Sequence, residues 1–403
     1  MNVVWVLGAG FSKPLGGPLL ADLFEARLLQ EMTAIYEKVR PGFLRDLARL
    51  HEIYHGTVGN RETPIPGLPW KDPEEFLEAL DFACCDAVPA DKRAIPLRLI
   101  GRAAGNVAIN EDAVRDYAKL ARHYFVSACS SFLESAFTDT ERWSPYRSWA
   151  KWLHANDTVL TFNYDEILER LSTEREPLAI LTPDLVQPNG DINEMAKVDL
   201  AGRPTVVKLH GSVRWAQEPD PTGHGDRVTA HHSVNEILFG KLTPVIATPG
   251  PTKQGMAKGL LQPLWHLAAK KLRAADVVVF VGYRFPETDN QAKQVLLDAI
   301  GGRDTTRPLT VHIVLGADTA HKDVRRLDGL LRWKLAHCEI VDAREIRPHT
   351  DQSHYPPRRA CIIAQPLWAQ DFLAVFERRR LNAWCDYNTV MQNVAADNAP
   401  PQT

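Results

Sequence analysis

The stretch Val3-Val4-Trp5-Val6-Leu7-Gly8-Ala9-Gly10-Phe11-Ser12 decides the fold. Five apolar residues without polar alternation run straight into a glycine turn, as a strand buried on both faces does where a parallel sheet hands over to a helix. Three later stretches repeat the pattern. Residues 158–162 end in Asn163-Tyr164-Asp165, residues 206–209 in His210-Gly211-Ser212, and residues 277–281 in Gly282-Tyr283-Arg284-Phe285-Pro286. Ligands of open α/β sheets bind at the carboxyl ends of the strands. Four polar clusters are therefore expected to converge on one crevice, which points to a nucleotide enzyme.

Around these four, apolar runs at 244–248, 309–315 and 339–341 extend the expected sheet, and 360–364 reads as an edge strand. Helical spacing covers 19–38 and 113–136, and 261–273 with its basic end suits a crossover helix. Asp72-Pro73-Glu74-Glu75 is a helix start, with a capping carboxylate, proline in the first turn and acids at the positive end. Residues 56–70 form a Gly/Pro-rich connection. No run between Leu7 and Thr158 reads as a second strand, so a mainly helical insertion interrupts the sheet. The fold class is α/β: a Rossmann-like parallel sheet from residues 1–30 and 151–345, a helical insertion at 31–150, and a C-terminal helical extension at 346–403. Within that extension, 367–394 reads as a long helix or helix pair and 395–403 as a disordered tail.

The 403 residues are 45% hydrophobic and 24% charged, with a formal charge of -3. This is the composition of a soluble protein, with no global pull toward nucleic acid or anionic lipid. Direct nucleic-acid binding and membrane association are not expected, because the apolar opening lacks a basic flank and is too short to span a bilayer. The cysteines at 84, 85, 129, 338, 361 and 385 form no C-x-x-C pair. Neither a zinc ribbon nor a disulfide framework is suggested, and a reducing cytoplasm is the expected location. His224, His231 and His232 cluster in a Gly/Pro/Asp-rich segment that reads as a solvated loop, so no metal site is expected.

Each cluster has a chemical reading. Gly8-Ala9-Gly10 allows a tight turn and close backbone approach to a phosphate, although Lys13 stands where the third glycine of a dinucleotide fingerprint would fall. Asn163 and Asp165 flank Tyr164 and point the same way in extended geometry. They are either a pair for a ribose hydroxyl or an Asx turn. His210 is the best general base in the chain, and Gly211 lets a substrate come close; the alternative is a packed strand-end histidine. Gly282 opens a strand into a loop suited to a phosphate or ribose, with Arg284 either a phosphate contact or solvated. Residues 248–253 form a rigid loop that could wall the pocket.

In this order, the motifs resemble those of the sirtuin-like NAD-hydrolase domains of bacterial antiphage defence systems. The matching pieces are residues 8–14, 161–165, 208–212 and 275–289. The resemblance implies NAD as substrate, cleaved to nicotinamide and ADP-ribose by Asn163 and His210. Asp165 would support the ribose pocket, and Gly8, Ala9, Gly10, Phe11 and Ser12, with Gly211, Gly282, Tyr283 and Asp289, would hold the dinucleotide. It also implies a homo-oligomer that associates with a separately encoded partner, a DNA-translocase-type ATPase ahead of a short Argonaute. The four-cysteine zinc module of deacylating sirtuins is absent, so no zinc is expected. An NAD-dependent deacylase or ADP-ribosyltransferase, and a non-catalytic NAD or ADP-ribose sensor, are the alternatives.

Overall fold

Among the described residues eleven strands follow one another: β1 (Val3–Leu7), β2 (Thr158–Thr161), β3 (Ala179–Leu181), β4 (Thr205–Lys208), β5 (Gly211–Pro219), β6 (Asp226–Ala230), β7 (Thr243–Ile246), β8 (Val277–Val281), β9 (Leu309–Val314), β10 (Glu339–Ile340) and β11 (Arg359–Gln365). The computed structural model describes residues 1–37, 41–59, 68, 70–105, 109–136, 138–174, 178–220, 226–240, 242–286, 289–346, 358–378 and 381–384. Eight strands make a sheet in the order β10-β11-β9-β8-β1-β2-β4-β3, every pair parallel. With its flanking helices this is the Rossmann-like α/β architecture expected. All of β1 and β8 is buried, as their unalternated apolar sequences require. The chain runs to one side of β1 through β2, β3 and β4, then returns to β8 on the other side. The sheet therefore reverses its order at β1, where α/β sheets open their binding crevice.

Two strand expectations are corrected. The run at 244–248 is not part of the parallel sheet. As β7 it joins β5 and β6 in a separate antiparallel sheet of order β6-β5-β7. The run at 360–364 is not the edge; β11 lies between β9 and the two-residue β10, and six register pairs bind it to β9. Strands β3, β5 and β6 were not read from the sequence.

Every element described between β1 and β2 is helical. The longest helices are Pro41–His55, Ala90–Ala103 and Glu111–Ala136, the last close to the expected 113–136. The helix Pro73–Cys84 begins as its sequence dictates: Asp72 accepts a hydrogen bond from the Glu75 amide at 2.9 Å, with Pro73 in the first turn. Phe24 stacks on Tyr54 and Tyr124 at ring distances of 4.4 and 4.7 Å. This helical core continues into Val213 and Ile246 of the small sheet. The insertion thus packs on the strands that flank the crevice.

The C-terminal helix is shorter than its sequence suggests, Ala369–Val375. Residues 379, 380 and 385–394 of the expected helix or helix pair, and the expected tail at 395–403, lie outside the described residues. Its Phe372, Leu373 and Phe376 are buried, and Phe376 meets Trp5 of β1 edge-on at 4.9 Å. The apolar face of 367–376 therefore covers the chain's own sheet, leaving Trp368 and Val375 exposed. No helix among the described residues is long and apolar enough to cross a membrane.

Candidate active site

The strands β8, β1, β2 and β4 are consecutive neighbours, so their four carboxyl ends lie side by side. The glycines at three of these ends serve the backbone. Gly8 and Gly10 donate their amides to the carbonyls of Val281 and Gly282, at 3.1 and 3.2 Å, drawing the two turns together. Gly211 has φ 85°, and a Cβ there would lie 2.0 Å from the Val245 carbonyl oxygen. It is the point where the chain leaves the parallel sheet for β5. Ala9 is exposed beside the crevice, while Phe11 is buried in the core between Tyr146 and Trp149.

Asn163 and Asp165, after β2, meet Ser12 from the β1 turn. Asn163 Nδ2 donates to Gly8 O at 3.0 Å and to Ser12 Oγ at 2.7 Å, and Ser12 Oγ donates to Asp165 Oδ2 at 2.5 Å. The second Asp165 oxygen accepts from the Ile167 amide at 3.1 Å. Burial pushes the Asp165 carboxyl up, against the pull of Lys208 and these two hydrogen bonds. No described residue hydrogen-bonds to Asn163 Oδ1.

His210, after β4, lies beside this group. Its ring meets Phe162 edge-on at 4.9 Å, and Phe162 is stacked on Tyr283 at 3.9 Å. Nδ1 is 3.5 Å from the Tyr164 hydroxyl, which donates to Ala247 O at 2.8 Å. Nε2 is 3.4 Å from Asp289 Oδ2 but has no aligned hydrogen bond. Burial lowers the imidazole's affinity for a proton, Lys253 lowers it further, and Asp289 opposes both. The net direction is downward from the ordinary imidazole value.

Asp289 also accepts from the Tyr283 hydroxyl at 2.9 Å and pairs with Lys253 Nζ at 3.4 Å. Burial alone would raise its carboxyl, but His210, Lys253 and Tyr283 together outweigh that and hold it well below the usual carboxylate range. Arg284 points away: it is exposed and paired with Asp323 at 3.0 Å. Phe285 holds φ 51° while fully buried, an uncommon backbone state for a bulky residue. Glu287, Thr288 and His224 lie outside the described residues. His231 sits between Glu218 and Glu236 at 3.3 and 3.1 Å. Among the described residues, no group of three metal-ligating side chains is assembled.

The sequence reading gave Tyr164, Lys208, Glu169 and Lys253 no role of their own. Lys208 Nζ reaches Asp165 O at 2.6 Å, Glu169 Oε1 at 2.7 Å and Ser212 Oγ at 3.1 Å, tying the β2 end to the β4 end. Its signal was present: a lysine inside a strand buried on both faces must have a partner.

Residues 157–332 match the family model of the SIR2-like domain. The match takes in the Asn163, His210 and Asp289 segments and begins after the β1 turn. This part of the chain is similar to SIR2-like domains and lies on a Rossmann-like sheet; SIR2-like domains use NAD as substrate. No curated protein matches the chain.

Proposed function

We propose that this chain is an NAD+ hydrolase that cleaves the bond between nicotinamide and ribose, and that it depletes NAD as an effector of antiphage defence. What supports this reading most is the placement of Asn163 and of a buried His210, its proton affinity lowered by burial, at the ends of adjacent strands, β2 and β4, in the span similar to the SIR2-like domain. Cleavage builds positive charge on the ribose. Neutral His210 takes a proton from a ribose hydroxyl or from the incoming water, and the carboxylates Asp165 and Asp289 lie near the developing cation. Nicotinamide leaves with the electrons of its glycosidic bond and departs uncharged. Water supplies the new C1′ oxygen, and one proton is released through His210. Asn163 Oδ1 and the Ser12–Asp165 pair would hold the ribose hydroxyls, and the exposed Ala9 turn lies where the pyrophosphate would run.

The protein acts as a homo-oligomer with a separately encoded partner, in line with the resemblance of its motifs. The test is nicotinamide release from NAD by the purified chain, alone and with the product of a neighbouring gene. Release with equimolar ADP-ribose supports the reading. Binding of NAD without release in either case favours a sensor, and release that requires an acyl-lysine peptide favours a deacylase.

A further inference from the structure

The helix Pro251–Lys258 begins at Gly250, which has no side chain to cap it. The cap comes from the insertion instead. Asp81, on the helix Pro73–Cys84, accepts from the Thr252 amide at 2.7 Å and from the Thr252 hydroxyl at 2.6 Å. Its carboxylate fills the space beside Gly250, where a Cβ would lie 2.4 Å from Asp81 Oδ2. Arg122, on the helix Glu111–Ala136, stands 3.6 Å from the same carboxylate. The next residue after Thr252 is Lys253, whose Nζ is 3.4 Å from Asp289 Oδ1, and the other Asp289 oxygen is 3.4 Å from His210 Nε2.

From this unbroken series of contacts we infer that Asp81 is a positioning residue for catalysis: the helical insertion sets the placement and basicity of His210 through Thr252, Lys253 and Asp289. The inference rests on the hydrolase reading of the site. It gives the insertion a role in the reaction, and any partner that shifts the Pro73–Cys84 helix would reach the catalytic histidine by the same route.

The groups facing His210 are Asp289 and, through it, Tyr283 from the loop after β8, Lys253 from the Pro251–Lys258 helix, and Tyr164 from the loop after β2. Burial raises the Tyr164 hydroxyl above its ordinary value, with Cys129, Asp289 and then Glu74, at the start of the Asp81 helix, adding to it. Lys253 lowers the proton affinity of His210 and Asp289 raises it. Releasing Lys253 therefore raises the pH at which His210 titrates. Simple loss of the Asp81 negative charge would do the reverse, so the sign separates relay from through-space effect.

The test measures kcat, KM and the acid limb of the pH profile for NAD cleavage, alongside NMR titration of the His210 imidazole in the substrate-free chain. In Asp81→Ala, kcat should fall about tenfold to a hundredfold with little change in KM. The His210 titration should move to higher pH, as in Lys253→Met, and the double variant should move no further than Lys253→Met alone. Asp81→Asn, whose amide can accept from the Thr252 amide and donate to its hydroxyl, should restore the wild-type profile. Thr252→Val is the milder probe should Asp81→Ala not fold, with a smaller shift in the same direction. A folded Asp81→Ala or Thr252→Val protein whose His210 titration is unmoved, or moves to lower pH, overturns the inference. A chain that cleaves no NAD yet shows these NMR shifts keeps the relay and sinks only the hydrolase reading.

Discussion

Gly10 and Gly282 are in backbone contact across the seam between β1 and β8. A Cβ on Gly10 would lie 2.7 Å from Gly282 Cα, and one on Gly282 would lie 2.5 Å from Gly10 Cα, with Gly282 at φ 65°. Neither overlap can be relieved by turning a flexible side chain. One turn must move, and these turns carry Ser12 on one side and Tyr283 on the other. Gly282→Ala combines overlap with an unfavourable φ and should lower stability by about 3 kcal/mol. Gly10→Ala should cost somewhat less, having overlap alone. Urea midpoints with unchanged m-values check both, and nicotinamide release should fall with them. A Gly282→Ala protein of wild-type midpoint would mean that the contact is looser than these distances.

Asn163→Ala and His210→Ala should each remove NAD cleavage, by about a hundredfold or more for loss of the base, while leaving the fold intact. Neither side chain belongs to the apolar clusters of the core. Because His210 titrates below its ordinary value, wild-type activity should rise with pH along a limb lying below pH 6.5 and be flat across neutrality. Circular dichroism with a nicotinamide assay separates loss of chemistry from loss of fold. Near wild-type release by both folded variants would remove the assignment.

The four strand ends were legible because β1 and β8 are continuous apolar runs, as strands buried on both faces tend to be, while β2 and β4 keep apolar pairs at their centres beside buried Thr158, Thr161, Thr205 and Lys208. The small sheet was not. Its β5 starts at the Gly211 turn and mixes Ser212, Arg214 and Gln217 with apolar residues, so β7 seen alone looked like one more parallel strand. The C-terminal segment misled for another reason. Trp368, Phe372 and Phe376 have helical spacing, but only seven residues of described helix are needed to cover Trp5. Contacts across the chain were beyond any local reading: Asp81 and Thr252 are 171 residues apart, and Asp72-Pro73 announces the helix without saying what its third turn touches.

His312 gives stability a pH dependence. It is buried in β9, with Nε2 donating to Leu381 O at 2.8 Å and Nδ1 accepting from the Gln365 amide at 2.9 Å, and burial lowers its pKa to about 4. The unfolded chain takes up its proton first, near pH 6.5. The contribution is therefore complete above that value and is lost as the pH falls toward 4, by roughly 3 kcal/mol over the window. His51, also lowered to about 4, adds to the same slope. Urea midpoints at pH 7.5 and pH 5 should differ less for His312→Gln than for the wild type. Equal differences would show that His312 is not what binds the C-terminal segment pH-dependently to the sheet.

Lys208 and Glu169 form a buried pair, with 1% and 9% of their side chains exposed and 2.7 Å between Nζ and Oε1. Such a pair adds little net stability over apolar residues of the same size, because desolvation offsets the attraction. Breaking it from one side strands a charge. Lys208→Met leaves Glu169 uncompensated, with Oε2 already buried and unpartnered, and should lower stability by about 3–5 kcal/mol. Lys208→Met with Glu169→Leu should recover most of that loss. Activity should not recover with it, because the double variant still lacks the ammonium that holds the Asp165 carbonyl at 2.6 Å and links the β2 and β4 ends. Thermal unfolding and nicotinamide release, measured on the same three proteins, separate the two roles. A double variant restored in both would make Lys208 a buried charge of no consequence to the site.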